Sequence, residues 1–350
     1  MLNPKVKGLF LDVSDFSVLA ARTSGFKLPL TVEAVDEYIL SGSDSAEDIR
    51  SFLESLVDFK KSNHFISRCG VYPEGRFVHY HEVESVIKAK KLDFLSKTLE
   101  QEFKIDPEEN EIAILDARDG SDFDPNTSLT KYLVFCGGPT EAFQEKQDRL
   151  LQFGVYPKRL ELSTCATLGG VSDYARFKEI KSPILFLELT LKSTNVFILN
   201  RGKIEVSHTS EMGLDSIYPL LQRELGLKDE SSARKLFLSN TFDFAEIGPK
   251  LLRRITKELQ ATTGFYEVQT GQTIEHLFLS VLPGNLSWVE NTFADALALD
   301  VLKPNYGSWL ESLKIEIGDG VEVSNMNGRW MGLFSLMAEF DSVEKGWDEA

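Results

Sequence analysis

The chain has 350 residues, 42% of them hydrophobic and 26% charged, with a formal net charge of −16 at pH 7. That length accommodates two or more domains, and the composition is that of a globular protein, not a disordered or fibrous one. With no basic tail to neutralise phosphates, nucleic acid is excluded as an expected partner; the run Lys88, Lys90 and Lys91 reads as the solvated face of a helix.

Lys5 and Lys7 precede an apolar stretch, but Asp12 and Asp15 interrupt it before a signal-peptide core could be completed. The longest apolar runs, such as Pro183 to Leu189, fall far short of the ~20 residues a membrane-spanning helix needs. The expected setting is the cytoplasm, with any membrane contact made through a partner. Cys69, Cys136 and Cys165 are odd in number and widely spaced, which suggests neither a disulfide framework nor a zinc site. His79 and His81 would share one face of a strand, but no carboxylate or cysteine cluster is spaced to complete a metal site, so no metal is expected.

Gly8 to Arg22 reads as two β-type runs joined by a polar turn at Ser14 and Asp15, a hairpin. Asp48 to Lys60 has the apolar spacing of an amphipathic helix. His64 to His79 alternates as strand, turn at Pro73-Glu-Gly75, and strand. Asp93 to Phe103 is helical in period, and Glu111 to Arg118 is a strand. A loop through Gly120 and Pro125 leads to an apolar strand at Lys131 to Cys136 and a helix over Thr140 to Phe153. Ile184 to Leu199 then repeats the opening unit. Both copies begin Leu-Phe-Leu followed by an acid, Asp12 in the first and Glu188 in the second. A turn at Asn200-Arg-Gly and a strand at Lys203 to Thr209 complete it. Such a repeat fixes architecture where composition cannot, and it places one carboxylate at each strand end, where the two could face a single cleft.

Beyond Leu214 the chain turns helical over Ser216 to Leu225, Ser232 to Leu238 and Phe244 to Phe265. A third strand at Glu275 to Ser280 leads through Pro283-Gly284 to a helix over Trp288 to Leu297. The dense apolar content of Arg329 to Phe340 predicts a buried terminal helix.

Strand, acid, turn and strand, the same unit again, then strand, turn and helix resembles the layout of the actin-like ATPase superfamily. Lys131-Tyr-Leu-Val-Phe-Cys-Gly-Gly, Thr140-Glu-Ala-Phe-Gln and Leu151-Gln-Phe-Gly-Val-Tyr-Pro-Lys-Arg-Leu-Glu-Leu resemble the strand, helix and return link of the inserted subdomain in the PilM family of type IV pilus assembly proteins. Arg329-Trp-Met-Gly-Leu-Phe-Ser-Leu-Met-Ala resembles that family's final helix. The likeness is one of pattern over nearly the whole chain, as for a divergent member. It implies an α/β fold of duplicated, ribonuclease H-like core domains with an inserted α+β subdomain of the PilM/FtsA kind. The first core domain would begin over 1–26, be interrupted by the insertion over 27–158 and return at 159–182. The second would begin over 183–215, carry a helical subdomain over 216–273 and continue over 274–328. The terminal helix and acidic tail, 329–350, would pack back on the first.

The resemblance also implies where a nucleotide would lie. In nucleotide-binding members each hairpin carries Asp-x-Gly, whose carboxylate holds water on magnesium and whose glycine lets backbone N–H groups approach phosphate. Here the motifs read Asp12-Val-Ser14 and Glu188-Leu-Thr190. Two further glycine pairs are reduced to Gly213, in Met212-Gly213-Leu214, and Gly284, in Val281-Leu282-Pro283-Gly284. A side chain in a left-handed turn costs roughly 1–2 kcal/mol, so four losses on one pocket predict a vestigial site and no catalytic residue. Asp12, Ser14, Asp15, Ser17, Glu188, Thr190, Ser193, Thr194, Asn195, Gly213 and Gly284 would line it, with ATP and Mg²⁺ at most weakly held; as turn formers, Ser14, Asp15, Ser193 and Asn195 also have a plain structural reading.

The implied function is a cytoplasmic scaffold of a type IV pilus or type II secretion-like platform. It would capture the cytoplasmic N-terminal peptide of a PilN-like single-span membrane protein in a groove between the insertion and the first core domain, with Val71, Tyr72, Phe77 and Tyr80 as candidates. A pilus motor ATPase and a second copy of the chain are further candidate partners. The rival is an active ATPase or sugar-kinase-like phosphotransferase, with Asp12 or Glu188 holding Mg²⁺. A membrane-recruited filament protein like FtsA is disfavoured by the acidic end from Asp341.

Overall fold

A computed structural model describes residues 7–41, 44–57, 64–117, 120–239 and 241–338. Lys5, Arg118, the end of the helix expected over 48–60, Phe340 and the acidic tail lie outside them. The chain opens with β1 (Gly8–Val13), β2 (Ser17–Thr23), β3 (Leu30–Ile39), α1 (Ala46–Leu56) and β4 (Phe65–Val71). Ser45 starts α1 with a reciprocal cap: its hydroxyl accepts from the Asp48 N–H, and the Asp48 carboxylate accepts from its own N–H. Next come β5 (Phe77–Glu82), α2 (Val86–Ala89), α3 (Leu92–Lys97), a π-helical turn, β6 (Asn110–Asp116) and β7 (Tyr132–Pro139). They lead to α4 (Thr140–Gln152), β8 (Val155–Leu162) and α5 (Ser163–Phe177).

The second half runs β9 (Ile184–Leu189), β10 (Thr194–Asn200), β11 (Lys203–Ser210), α6 (Tyr218–Leu225), α7 (Glu230–Leu238), α8 (Gly248–Thr270), β12 (His276–Ser280) and α9 (Ser287–Leu297). It ends with β13 (Asp300–Val301), α10 (Tyr306–Ser312), β14 (Ile315–Ile317) and α11 (Trp330–Ser335).

The duplication extends beyond the hairpins. One sheet has the order β14-β3-β2-β1-β4-β8 and another β11-β10-β9-β12-β13. Apart from β14, the two read alike: three antiparallel strands, then two added in parallel to the first of them. Both central strands are buried on both faces, so each is a near-continuous apolar run. Strand alternation sorts them. Leu9, Leu11 and Val13 pack outward under α1 and α4, whereas Phe10 packs inward with Phe186, Phe278 and the buried faces of α5 and α11. Asp12 and Glu188 fall on this inward register, in the layer between the two sheets.

The expected insertion boundary of 27–158 is corrected. β4 pairs in parallel with β1 and β8, so 30–71 and 155–162 belong to the first sheet. A separate antiparallel sheet, β5-β7-β6, spans only 77–139. The Pro73–Gly75 turn therefore carries the chain out of one sheet into another and closes no hairpin, a distinction periodicity cannot make. The assignment of all of 274–328 to the second core domain is likewise corrected, because Ile315–Ile317 pairs with Leu30–Val32 on the first sheet. Among the described residues no helix is long and apolar enough to cross a membrane.

Burial pushes the carboxyl of Glu290, on α9, up to about 7, against the pull of Lys303 and a backbone bond at Leu279. The folded state thus holds this proton more tightly than the unfolded chain, whose glutamates titrate near ~4.3. The group's contribution to stability is full below that value, falls as pH rises towards 7, and is level above. Glu290→Gln should flatten this part of the pH profile and raise stability at pH 8 by about 1–3 kcal/mol, measured by urea unfolding between pH 4.5 and 8.

Candidate functional site

The two repeat acids sit on either side of the N-terminus of α5. Consecutive residues there divide between them: the Ser163 hydroxyl donates to Asp12 Oδ2 at 2.8 Å, and the Thr164 hydroxyl to Glu188 Oε2 at 2.7 Å. The helix's unpaired N–H groups and dipole add to the attraction for negative charge. Gly70, opposite Asp12 in the ladder, leaves the room that Ser163 occupies.

Each acid is also met by a buried arginine of this chain. Arg329, immediately before α11, pairs through Nη1 with Asp12 Oδ1, and both side chains are fully excluded from solvent (0% exposed). Its Nη2 donates to the Asp12 carbonyl at 2.9 Å and its Nε to the Ser17 hydroxyl at 3.2 Å. Arg76, just past the Pro73–Gly75 turn, pairs with Glu188 Oε1, with exposures of 6% and 0%. Its Nε lies 3.0 Å from both Glu188 Oε1 and Thr164 Oγ1, and Nη1 donates back to the Pro73 carbonyl at 3.1 Å. Asn195 Nδ2 donates to the same glutamate oxygen at 2.7 Å and is itself oriented by Thr209.

Between the arginines stands Tyr72. The Arg76 guanidinium lies 5.3 Å and that of Arg329 6.0 Å from its ring centroid, within cation–π range. Its hydroxyl is 3.5 Å from Asp12 Oδ2, and burial above all, then the Asp12 charge, raises its pKa and keeps it neutral. All four carboxylate oxygens of Asp12 and Glu188 thus accept hydrogen bonds from within the chain. At the surface, Lys192 and Glu74 join the second hairpin to the insertion turn with two 2.8 Å bonds, an exposed pair worth little in itself.

The other expected site residues are engaged locally. The Ser14 hydroxyl accepts from the N–H groups of Phe16 and Ser17, closing its turn. Asp15 lies 3.7 Å from Lys146. Thr190 accepts from the Ser193 N–H at 3.0 Å, and Thr194 donates to the Met212 carbonyl at 2.6 Å. Gly213 is a steric requirement, since a Cβ there would strike the Leu191–Lys192 backbone, whereas Gly284 faces open space. Val281 keeps a left-handed backbone, φ 78°, costly for a β-branched residue. Of the peptide-groove candidates, Val71 and Tyr72 are buried and unavailable; Phe77 stacks on His79, and Tyr80 packs against the central core. Among the described residues no group of His, Cys, Asp and Glu is placed to hold a metal ion.

No family model matches the sequence, and no curated protein matches it. The structure of a PilM–PilN type IV pilus biogenesis complex, however, is similar to this chain with a TM-score of 0.66 at 14% identity, covering 95% of this chain and 98% of that one. The chain has the actin-like fold of PilM. Also similar, at TM-scores of 0.43 and 0.42, are a Bacteroides thetaiotaomicron protein with an actin-like ATPase fold and unknown function (11% identity, 96% of this chain and 97% of that one) and the archaeal actin homologue Ta0583 (10%, 95% and 98%). The structure brings the two acids together at the N-terminus of α5. Arg76, Arg329, Ser163 and Thr164 were not marked by sequence pattern. The available signal was the acids themselves, because a carboxylate in an apolar strand requires a buried partner.

Arg76→Ala would leave Glu188 buried with only Thr164 and Asn195. Removing one partner of such a pair costs about 3–5 kcal/mol, and Arg76→Lys should recover only part of it, since an ammonium cannot span Glu188, Thr164 and the Pro73 carbonyl together. Urea unfolding at pH 7 measures both.

Proposed function

We propose that this protein is an actin-like scaffold of a type IV pilus or type II secretion-like assembly platform, with a nucleotide cleft closed by its own side chains. The observation that carries the closed cleft is the pair of buried guanidiniums on Asp12 and Glu188. A magnesium-bound nucleotide needs those carboxylates free to hold metal-bound water. Here their oxygens are engaged, and the two arginines with Tyr72 fill the space between them. The residues present do not fit the group. Arg76 and Arg329 would have to leave the two carboxylates to admit it.

The scaffold role rests on likeness to PilM over almost the whole chain. The solved complex of that protein contains PilN, and we extend that pairing to this chain: its partner is the cytoplasmic N-terminal peptide of a PilN-like inner-membrane protein, which holds it at the cytoplasmic face of the membrane. Peptide capture needs a groove and complementary side chains, not phosphoryl transfer. Glu161, half-buried on the edge strand β8, has its carboxyl pKa raised by burial, and that strand carries the exposed Tyr156 beside Ile66.

Two measurements test this reading. Melting with millimolar Mg-ATP should leave Tm unchanged, whereas a ligand at 100 times its Kd would stabilise by ~2.7 kcal/mol and shift it clearly. Capture from solubilised host membranes should yield a single-span protein that its own synthetic N-terminal peptide displaces. A rise in Tm, or capture insensitive to that peptide, would overturn the respective half of the proposal.

A further inference from the structure

The six-stranded sheet ends on an unequal pair. β3 runs for ten residues, but β14 covers only Leu30–Val32, and the last bond between them is donated by Gly318 N to the Val32 carbonyl at 2.9 Å. Over 34–39, β3 pairs with β2 on one side, and among the described residues no strand pairs with the other. The segment following β14 swings away and returns at Met326 and Trp330, leaving a cavity of about 320 Å³ between itself and the free edge. Its apolar lining includes Val35, Val321, Met326 and Trp330.

Its polar lining is of one sign. Asp36, Glu37, Asp319 and Glu322 border it, and among the described residues none of them forms an ion pair; Glu33, at the inner end, is already taken by Lys7 and Arg22. Asp36 accepts from the Glu37 N–H, and Glu322 from Ser324. One oxygen of Glu37, Oε1, is excluded from solvent with no hydrogen-bond partner among the described residues. A buried carboxylate oxygen without a donor is costly; the Arg329 charge acts on Glu37 without donating a hydrogen bond to that oxygen, and a cationic donor entering the cavity would supply one.

We propose that this groove docks an extended peptide bearing lysine or arginine, which adds to the free edge of β3 as a further strand and places a cationic side chain among Glu37, Asp319 and Glu322. Unpaired edges are templates for added strands. Acids along such an edge repel a second copy of this chain, whose net charge is −16, while attracting a basic segment. The groove lies across the sheet from β4, the strand that leads into the insertion, so it is distinct from a groove beside that subdomain and does not depend on the partner proposed above.

The full chain is titrated into a fluorescein-labelled Val-Arg-Val-Arg-Val-Arg peptide, read by anisotropy at low and physiological salt. Saturable binding is expected, at least tenfold weaker for Asp319→Asn/Glu322→Gln, which alters only exposed residues, and for Glu37→Gln. Alternate N-methylation of the peptide, which removes the strand-forming donors and keeps the charge, should also weaken binding at least tenfold, and a Val-Glu repeat should not bind. Equal affinity for the N-methylated peptide, unchanged affinity in both variants, no saturation at millimolar protein, or full displacement by equimolar spermidine would each overturn the proposal, the last by showing a site for small cations.

Discussion

The ion pair between Arg329 and Asp12 joins the end of the described chain to its first strand inside the layer between the sheets. Neither group touches water, and taking both charges out of solvent costs several kcal/mol each before their attraction returns any of it. The arrangement is tolerable because the remaining polar atoms are also satisfied: Ser163 and Tyr72 on the carboxylate, the Asp12 carbonyl and Ser17 on the guanidinium. Such a pair is poor evidence for added stability and good evidence for a specified geometry. Arg329 fits only if α11 lies against α5. Gly332 permits that approach, since a Cβ there would come within 2.7 Å of Asp12 and 2.8 Å of Thr167.

The second pair does for the insertion what the first does for the terminal helix. Arg76 leaves the insertion turn, crosses Tyr72 and ends on Glu188 of the second sheet. The layer between two similar half-molecules is thereby bridged by three segments distant in sequence: the insertion turn, α5 and the start of α11. The bridge is made of side chains of this chain. The phosphotransferase set against the function proposed above would need Asp12 or Glu188 to release its arginine in every turnover.

Much of the architecture could be read from the residues. Leu-Phe-Leu-Asp12 and Leu-Phe-Leu-Glu188 announced the duplication, because a strand buried on both faces and ending in an acid is an unusual pattern to meet twice. The extent of the insertion could not be read, since β3 and β4 have the alternation of any strand and only pairing tells which sheet receives them. α5 also escaped notice. Its small residues, Ser163 to Gly170, are buried by elements on more than one side, so it lacks the one-sided apolar stripe that marks a surface helix. Asp12 and Glu188 stood out in the sequence as acids in apolar strands, but the partners that bury them did not. Arg76 and Arg329 sit in segments that look like an ordinary turn and an ordinary helix start, and only their depth in the fold gives them significance. Val281 shows the converse: its left-handed backbone persists although its residue type gives no hint of it.

A double-mutant cycle on Asp12→Asn and Arg329→Met, followed by urea unfolding at pH 7, tests the internal pairing most directly. If the two groups neutralise each other, each single variant loses about 3–5 kcal/mol by stranding its partner, and the double variant loses far less than the sum. Losses that add to within ~0.5 kcal/mol would mean the groups are independent, and the account of a cleft held shut by its own arginines would be contradicted.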